Sequence, residues 1–193
     1  MTLVDDVLAG PPRWGRVRLV AVDGPSGAGK TTFAARLVDA FRARGVTTGL
    51  VATDHYATWD DPVAWWPRLV TEVLRPLAAG RPAVYRPVDW TTGAPRPGPI
   101  RTVHPVDVLV LEGVSAGRAS IRPALSALCW VEGPDPETRL ARAVRRDGEG
   151  VRGPLAAWQQ FERGWFAVDG TRGHVHPDGL VLSSGLTQRE NFS

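Results

Sequence analysis

The 193-residue chain has one cysteine, one lysine and no long apolar run. A lone Cys129 cannot close an internal disulfide. No cysteine framework for a metal exists either, which fits a reducing, cytoplasmic setting. Its neighbours Leu125, Ala127, Leu128, Trp130 and Val131 predict a buried core thiol. No stretch approaches the ~18 apolar residues of a membrane span, so no membrane partner is expected. The opening MTLVDDVLAGPP carries two aspartates and no basic region ahead of an apolar one, and does not read as a signal peptide. The net charge is only +3, with 20 acidic side chains set among scattered arginines, so no nucleic-acid partner is expected. Of the 23 Lys and Arg residues, Lys30 alone is lysine.

What is present fits one globular domain over 1–193. The 43% hydrophobic content is enough for a core and excludes wholesale disorder. Residues 1–12 and 184–193 read as loose ends. Short β-rich runs alternate with helical stretches, which predicts an α/β fold with a parallel sheet and helices on both faces. Strands are expected at 17–22, 49–53, 106–111, 128–131 and 179–182. Helices are expected at 30–44, 136–147 and 155–168. A weaker helix at 62–79 is interrupted by Pro67 and Pro76. Residues 81–100 hold five prolines and no regular period, and read as a long excursion over the site.

The first strand runs into Gly24-Pro25-Ser26-Gly27-Ala28-Gly29-Lys30-Thr31, followed by Thr32 and a helix. This is G-x-x-x-x-G-K-[ST] in its strand–loop–helix setting, the phosphate-binding P-loop. Glycines let backbone N–H groups converge on phosphate oxygens, and the helix N-terminus adds its positive end. Lys30 is placed to reach the β- and γ-phosphates of ATP, and the Thr31 hydroxyl to ligate Mg²⁺. The second strand ends in Asp54-His55-Tyr56 and the third in Glu112-Gly113. Strand C-termini form the crevice of such sheets, so Thr31, Asp54 and Glu112 are expected around one Mg²⁺, with Asp54 placed to take a hydroxyl proton. Arg139, Arg142, Arg145 and Arg146 crowd one short helix. Beside a P-loop this predicts a lid that neutralises charge on the transferred group. The structural alternatives are a cap for Asp54, a strand-end polar group for Glu112 and a solvated basic face for the arginines. Among the eight tryptophans, Trp59, Trp65, Trp66 and Trp90 lie in segments expected to overhang the crevice, and packing is the expected role of Trp65 and Trp66. His174 and His176 have no carboxylate or cysteine company in the sequence that would suggest a metal site.

Taken together, Asp23–Thr32, Asp54-His55-Tyr56, Tyr85-Arg86-Pro87-Val88-Asp89-Trp90, Val110–Val114 and the 139–147 arginine run resemble the uridine kinase/phosphoribulokinase branch of P-loop kinases, in that branch's order. The resemblance implies a three-layer P-loop NTPase fold with an Arg-rich lid. It implies Mg²⁺-dependent transfer of the ATP γ-phosphate to a sugar hydroxyl of a nucleoside-like acceptor. Carried over, Lys30 and Asp54 are catalytic, with Asp54 also a metal ligand beside Thr31 and Glu112. Arg142 and Arg146 contact phosphates, and Arg139 lies toward the acceptor. His55, Tyr56, Tyr85, Asp89 and Trp90 line the acceptor side, which Trp158, Gln160 and Glu162 close. Val88 stands where the branch's acceptor loop typically carries tyrosine. Two other readings are a regulatory ATPase and an accessory ATP-binding protein without uridine kinase activity. A GTPase is excluded, since its N-K-x-D needs a second lysine. A homo-oligomer is left open.

Overall fold

The computed structural model describes residues 2–181. In chain order the elements are α1 (Leu3–Ala9), β1 (Arg18–Asp23), α2 (Lys30–Ala43) and β2 (Thr48–Ala52). Then come α3 (Trp66–Leu69), a π turn (Val70–Leu74) and α4 (Arg75–Ala78). The short strands β3 (Ala83–Tyr85), β4 (Val88–Asp89), β5 (Arg96–Pro97) and β6 (Arg101–Val103) precede β7 (Val108–Glu112) and β8 (Leu125–Val131). The chain continues through α5 (Pro136–Asp147), α6 (Arg152–Asp169) and β9 (Leu180–Val181).

Five strands form one parallel sheet in the order β2-β7-β1-β8-β9. Alternate side chains leave opposite faces of a strand, so β1 splits its apolar run between two layers. Leu19 and Ala21 pack with Leu109 and Leu111 under Trp66, Leu69, Val73 and Leu77. Val20 and Val22 pack with Val110, Cys129 and Val131 under Phe33, Leu37 and Phe41 of α2. The result is the expected three-layer α/β architecture, and Cys129 is the expected buried thiol, its pKa pushed up to about 12 by burial. Among the described residues no helix is long and apolar enough to cross a membrane.

The N-terminal segment is not loose. Thr2 and Asp5 form a reciprocal capping box, and α1 buries Leu3, Val4 and Val7 against the α2 side of the sheet. Residues 184–193 lie outside the described residues, as does the last residue of the strand expected at 179–182. The prolines at 67 and 76 do not interrupt the 66–78 rod. Pro67 sits in its first turn, where no donor is needed. The π turn Val70–Leu74 includes Glu72, the residue four before Pro76, and its wider winding relieves the clash the proline ring would make with that carbonyl. Residues 81–103 are more regular than their prolines suggest. β3 pairs antiparallel with β6, and β4 with β5, making a two-tier arm beside the crevice. Pro97 ends a two-residue strand, and Pro82, Pro87, Pro95 and Pro99 lie just outside the strands, where a missing N–H costs no ladder bond.

Candidate active site

The P-loop joins β1 to α2 at the C-terminal edge of the sheet. Two of its glycines are required by close approaches. A Cβ on Gly24 (φ +137°) would lie 2.3 Å from the Val131 carbonyl oxygen, and one on Gly27 (φ +74°) 2.6 Å from that of Arg139. Lys30 opens α2, and its Nζ donates to the Pro25 carbonyl at 3.0 Å, curling over the loop. Lys30, Thr31 and Thr32 line a cavity of about 340 Å³ with Asp54, Glu112, Arg142 and Arg146. β2 delivers Asp54 to this cavity through a 3₁₀ turn, Thr53–His55. β7 ends on Glu112 one strand away. Burial pushes the Glu112 carboxyl up to about 7. Lys30 opposes that shift, the Asp54 carboxylate adds to it, and the Thr31 hydroxyl hydrogen-bonds Glu112. The arrangement therefore brings Thr31, Asp54 and Glu112 to one place. Two neighbouring carboxylates, one of them buried, with a hydroxyl between, are an oxygen set suited to Mg²⁺.

A second cavity of about 300 Å³ adjoins the first, and Ser26, Asp54, Ala143 and Arg146 line both. Its far wall is aromatic: Trp59, Trp90 and Trp158. Trp90 Nε1 donates to the Asp54 backbone oxygen at 3.1 Å, tying the β-arm to the turn that carries Asp54. On the opposite side α5 presents Arg142 and Arg146. Arg146 is held by two 2.6 Å bonds to Asp147. Its pKa is raised first by Asp147 and also by Asp54 and Glu112, so it faces both carboxylates.

No model of a known protein family matches the chain. A uridine kinase of Brevibacillus brevis is 31% identical over 147 residues, covering 68% of this chain and 66% of that protein. The chloroplastic uridine/cytidine kinase UKL1 of Arabidopsis thaliana is 26% identical over 161 residues, 74% of this chain and 33% of that protein. The chain thus spans just under two thirds of the first relative and a third of the second. A solved structure described as a possible uridine kinase from Bacillus stearothermophilus superposes with a TM-score of 0.64 over 93% of this chain and 94% of that one. At 18% identity it shares the fold. The chain belongs to the uridine kinase-like branch of the P-loop kinases.

Several residues carried over from that branch stand elsewhere than expected. Arg139 does not point to the acceptor. It is buried beneath the P-loop, where Nη1 donates to the Ser26 carbonyl (3.1 Å) and to Glu162 Oε1 (3.0 Å). Arg139 shares a face of α5 with the two lid arginines but lies one turn before Arg142 and two before Arg146, where that face meets the P-loop and α6. Tyr56 is packed in the core, stacked between Trp65 at 5.5 Å and Tyr85 at 5.6 Å. Its hydroxyl pKa is raised, first by burial. His55 Nδ1 and the Tyr85 hydroxyl are 2.9 Å apart, and Arg101 reaches Nε2 at 3.3 Å. Burial and then Arg101 push the imidazole down to about 4, so it stays neutral. Asp89 accepts the Thr91 amide at 2.9 Å and shapes the β4–β5 turn. Trp65 and Trp66 are core residues, as expected. Gln160 is exposed. His176 does have carboxylate company, because folded α1 brings Asp6 Oδ2 to 3.8 Å of its Nε2, with Asp178 beside it.

Two carboxylates act on the P-loop without being legible from the motif. Asp23 accepts from the Gly24 and Gly117 amides at 2.7 and 2.8 Å, locking the loop to the segment after β7, and burial raises it to about 7. Glu162 of α6 is fully buried and accepts from the Ser26 amide (2.9 Å), the Ser26 hydroxyl (2.7 Å) and Arg139. The resemblance puts Glu162 on the acceptor side; it instead holds Ser26 and Arg139, and its further sequence signal is an acid on the inward face of an amphipathic helix, four residues after Trp158.

Proposed function

We propose that the protein transfers the γ-phosphoryl group of ATP, in a Mg²⁺-dependent reaction, to a hydroxyl of a nucleoside-like small molecule. One observation carries this reading: a phosphate cradle and an aromatic cavity meet at Asp54 and Arg146. A donor phosphate over Lys30 and an acceptor against the tryptophans would then be adjacent, with a base at the junction. Positioning and electrostatics are what phosphoryl transfer requires of a protein.

In this scheme the P-loop amides and Lys30 hold the phosphates. Thr31, Asp54 and Glu112 would hold Mg²⁺, which supplies charge neutralisation and alignment. Asp54 takes the proton as the acceptor oxygen bonds to the γ-phosphorus. The bond from that phosphorus to the β–γ bridging oxygen breaks, and ADP leaves with the electron pair. Arg142 and Arg146 face the charge spread over the equatorial oxygens. The buried lone thiol and the absence of a membrane-spanning helix among the described residues are consistent with a cytoplasmic site of action.

The test is ADP release from MgATP with a panel of nucleosides and small alcohols. Stimulation above buffer that disappears in Lys30→Ala is the expected result. Slow ADP release that no acceptor raises would instead mark a regulatory or accessory ATP-binding protein.

A further inference from the structure

Two arginines of α5 reach the phosphate cavity, and they are held differently. Arg142 makes no hydrogen bond or ion pair among the described residues. Arg146 is gripped along one edge: Nε and Nη2 donate to Asp147 Oδ1 and Oδ2, both at 2.6 Å. A planar guanidinium has two such forked edges. Asp147 takes the Nε–Nη2 edge and leaves the Nη1–Nη2 edge open, at the tip of a side chain that lines both cavities. Asp147 itself lines only the aromatic cavity, so it grips Arg146 from that side.

The carboxylate of Asp147 does little for its own helix. It is the last residue of α5, where the aligned peptide dipoles present their negative end and a cation is the favoured charge. An exposed ion pair between chain neighbours adds little stability. Its effect falls on the side chain it grips. Arg146 is 68% exposed, and an arginine of that exposure, left unheld, spreads over many rotamers. A guanidinium held in one plane meets developing charge without reorganising. Resting on the kinase reading above, we infer that Asp147 is a positioning residue for the transfer: it fixes the plane of Arg146 so that the Nη1–Nη2 edge faces the phosphoryl group passing from ATP to the acceptor. Arg142, unclamped, follows the nucleotide phosphates as they arrive. The grip also offsets part of the Arg146 charge, so it serves the transfer more than the binding of ATP.

The experiment is steady-state kinetics of the full chain with MgATP and the fastest acceptor of the nucleoside and alcohol panel, beside titration of a non-hydrolysable ATP analogue and thermal unfolding. Asp147→Asn keeps the size of the side chain but presents an N–H where the guanidinium needs an acceptor. Its kcat should fall about tenfold, while the Kd for the analogue and the KM for the acceptor stay within about threefold of wild type and Tm within about 2 °C. The deciding measurement is the cycle with Arg146. If Arg146→Ala costs about a hundredfold in kcat, the double variant Arg146→Ala, Asp147→Asn should cost about the same, not the roughly thousandfold of independent effects. Multiplying effects, or an acceptor KM that rises in Asp147→Asn and stays raised without Arg146, would make Asp147 a direct contact of the acceptor and overturn the inference. An unchanged kcat, or a kcat that falls only along with Tm, overturns it too. In each of these cases wild-type turnover, and the kinase reading with it, stands. If no panel member raises ADP release by the wild-type chain, the kinase reading falls and takes this one with it.

Discussion

Removing the Arg139 guanidinium leaves Glu162 as a fully buried carboxylate whose cationic partner is gone. The pair is enclosed, with side-chain exposures of 6% and 0% and an N–O distance of 3.0 Å. Breaking such a pair by deleting one partner costs about 3–5 kcal/mol, because the remaining charge is uncompensated. A domain of this size loses roughly 2–4 °C of Tm per kcal/mol, so Arg139→Ala should melt about 10 °C lower. The Ser26 carbonyl loses its donor at the same time, and Ser26 lines both cavities. The affinity for an ATP analogue should therefore fall along with Tm. Glu162→Ala should do the same, since it frees the Ser26 amide and hydroxyl. The double variant Arg139→Met, Glu162→Met should be less destabilised than the sum of the two singles, since no lone buried charge remains. Thermal unfolding of the four proteins, with and without the analogue, measures all of this. A Tm within about 2 °C of wild type for Arg139→Ala, or strict additivity in the double variant, would refute the argument.

Asp54→Asn should lower kcat roughly a hundred- to ten-thousand-fold while an ATP analogue still binds, as measured by steady-state kinetics and titration; near-full activity would remove Asp54 from the role of base. Arg142→Ala and Arg146→Ala should each lower kcat about a hundredfold with little change in Tm, because both side chains are exposed and make no core contact; unchanged kinetics would return them to a solvated face. An amine-directed reagent should modify only Lys30 and the chain's N-terminus, and ATP should protect Lys30 alone, as peptide mapping by mass spectrometry would show.

The central sheet was legible because its signals are local. β1 and β7 read as continuous apolar runs, as strands buried on both faces must. The P-loop fixed the strand–helix junction after β1, and α5 spans the 136–147 expected of it, with Asp135 capping its start. The errors came where tertiary context decides. Pro76 reads as a break, but a π turn absorbs it. The prolines of 81–100 read as irregular, but all except Pro97 fall between short strands that pair regardless. The 1–12 segment reads as a tail, although Thr2, Asp5 and the apolar set Leu3, Val4 and Val7 carry the spacing of a capped helix.

The site divides along the same line. Lys30, Thr31, Asp54 and Glu112 sit at strand ends or in a fixed-spacing loop, so sequence position alone nearly determines their place in space. Arg139, Tyr56 and Glu162 lie on elements whose facing depends on what packs against them. Helical spacing puts Trp158 and Glu162 on one face of α6, but cannot say which partners that face meets. Once α6 lies across the crevice, one helix supplies both a wall of the aromatic cavity and the carboxylate that holds the entry turn of the phosphate loop. The two cavities therefore share a rigid element as well as Asp54. Ser26 lines both cavities and Glu162 of α6 holds its amide and hydroxyl, so the helix that walls one cavity also fixes a residue common to the two.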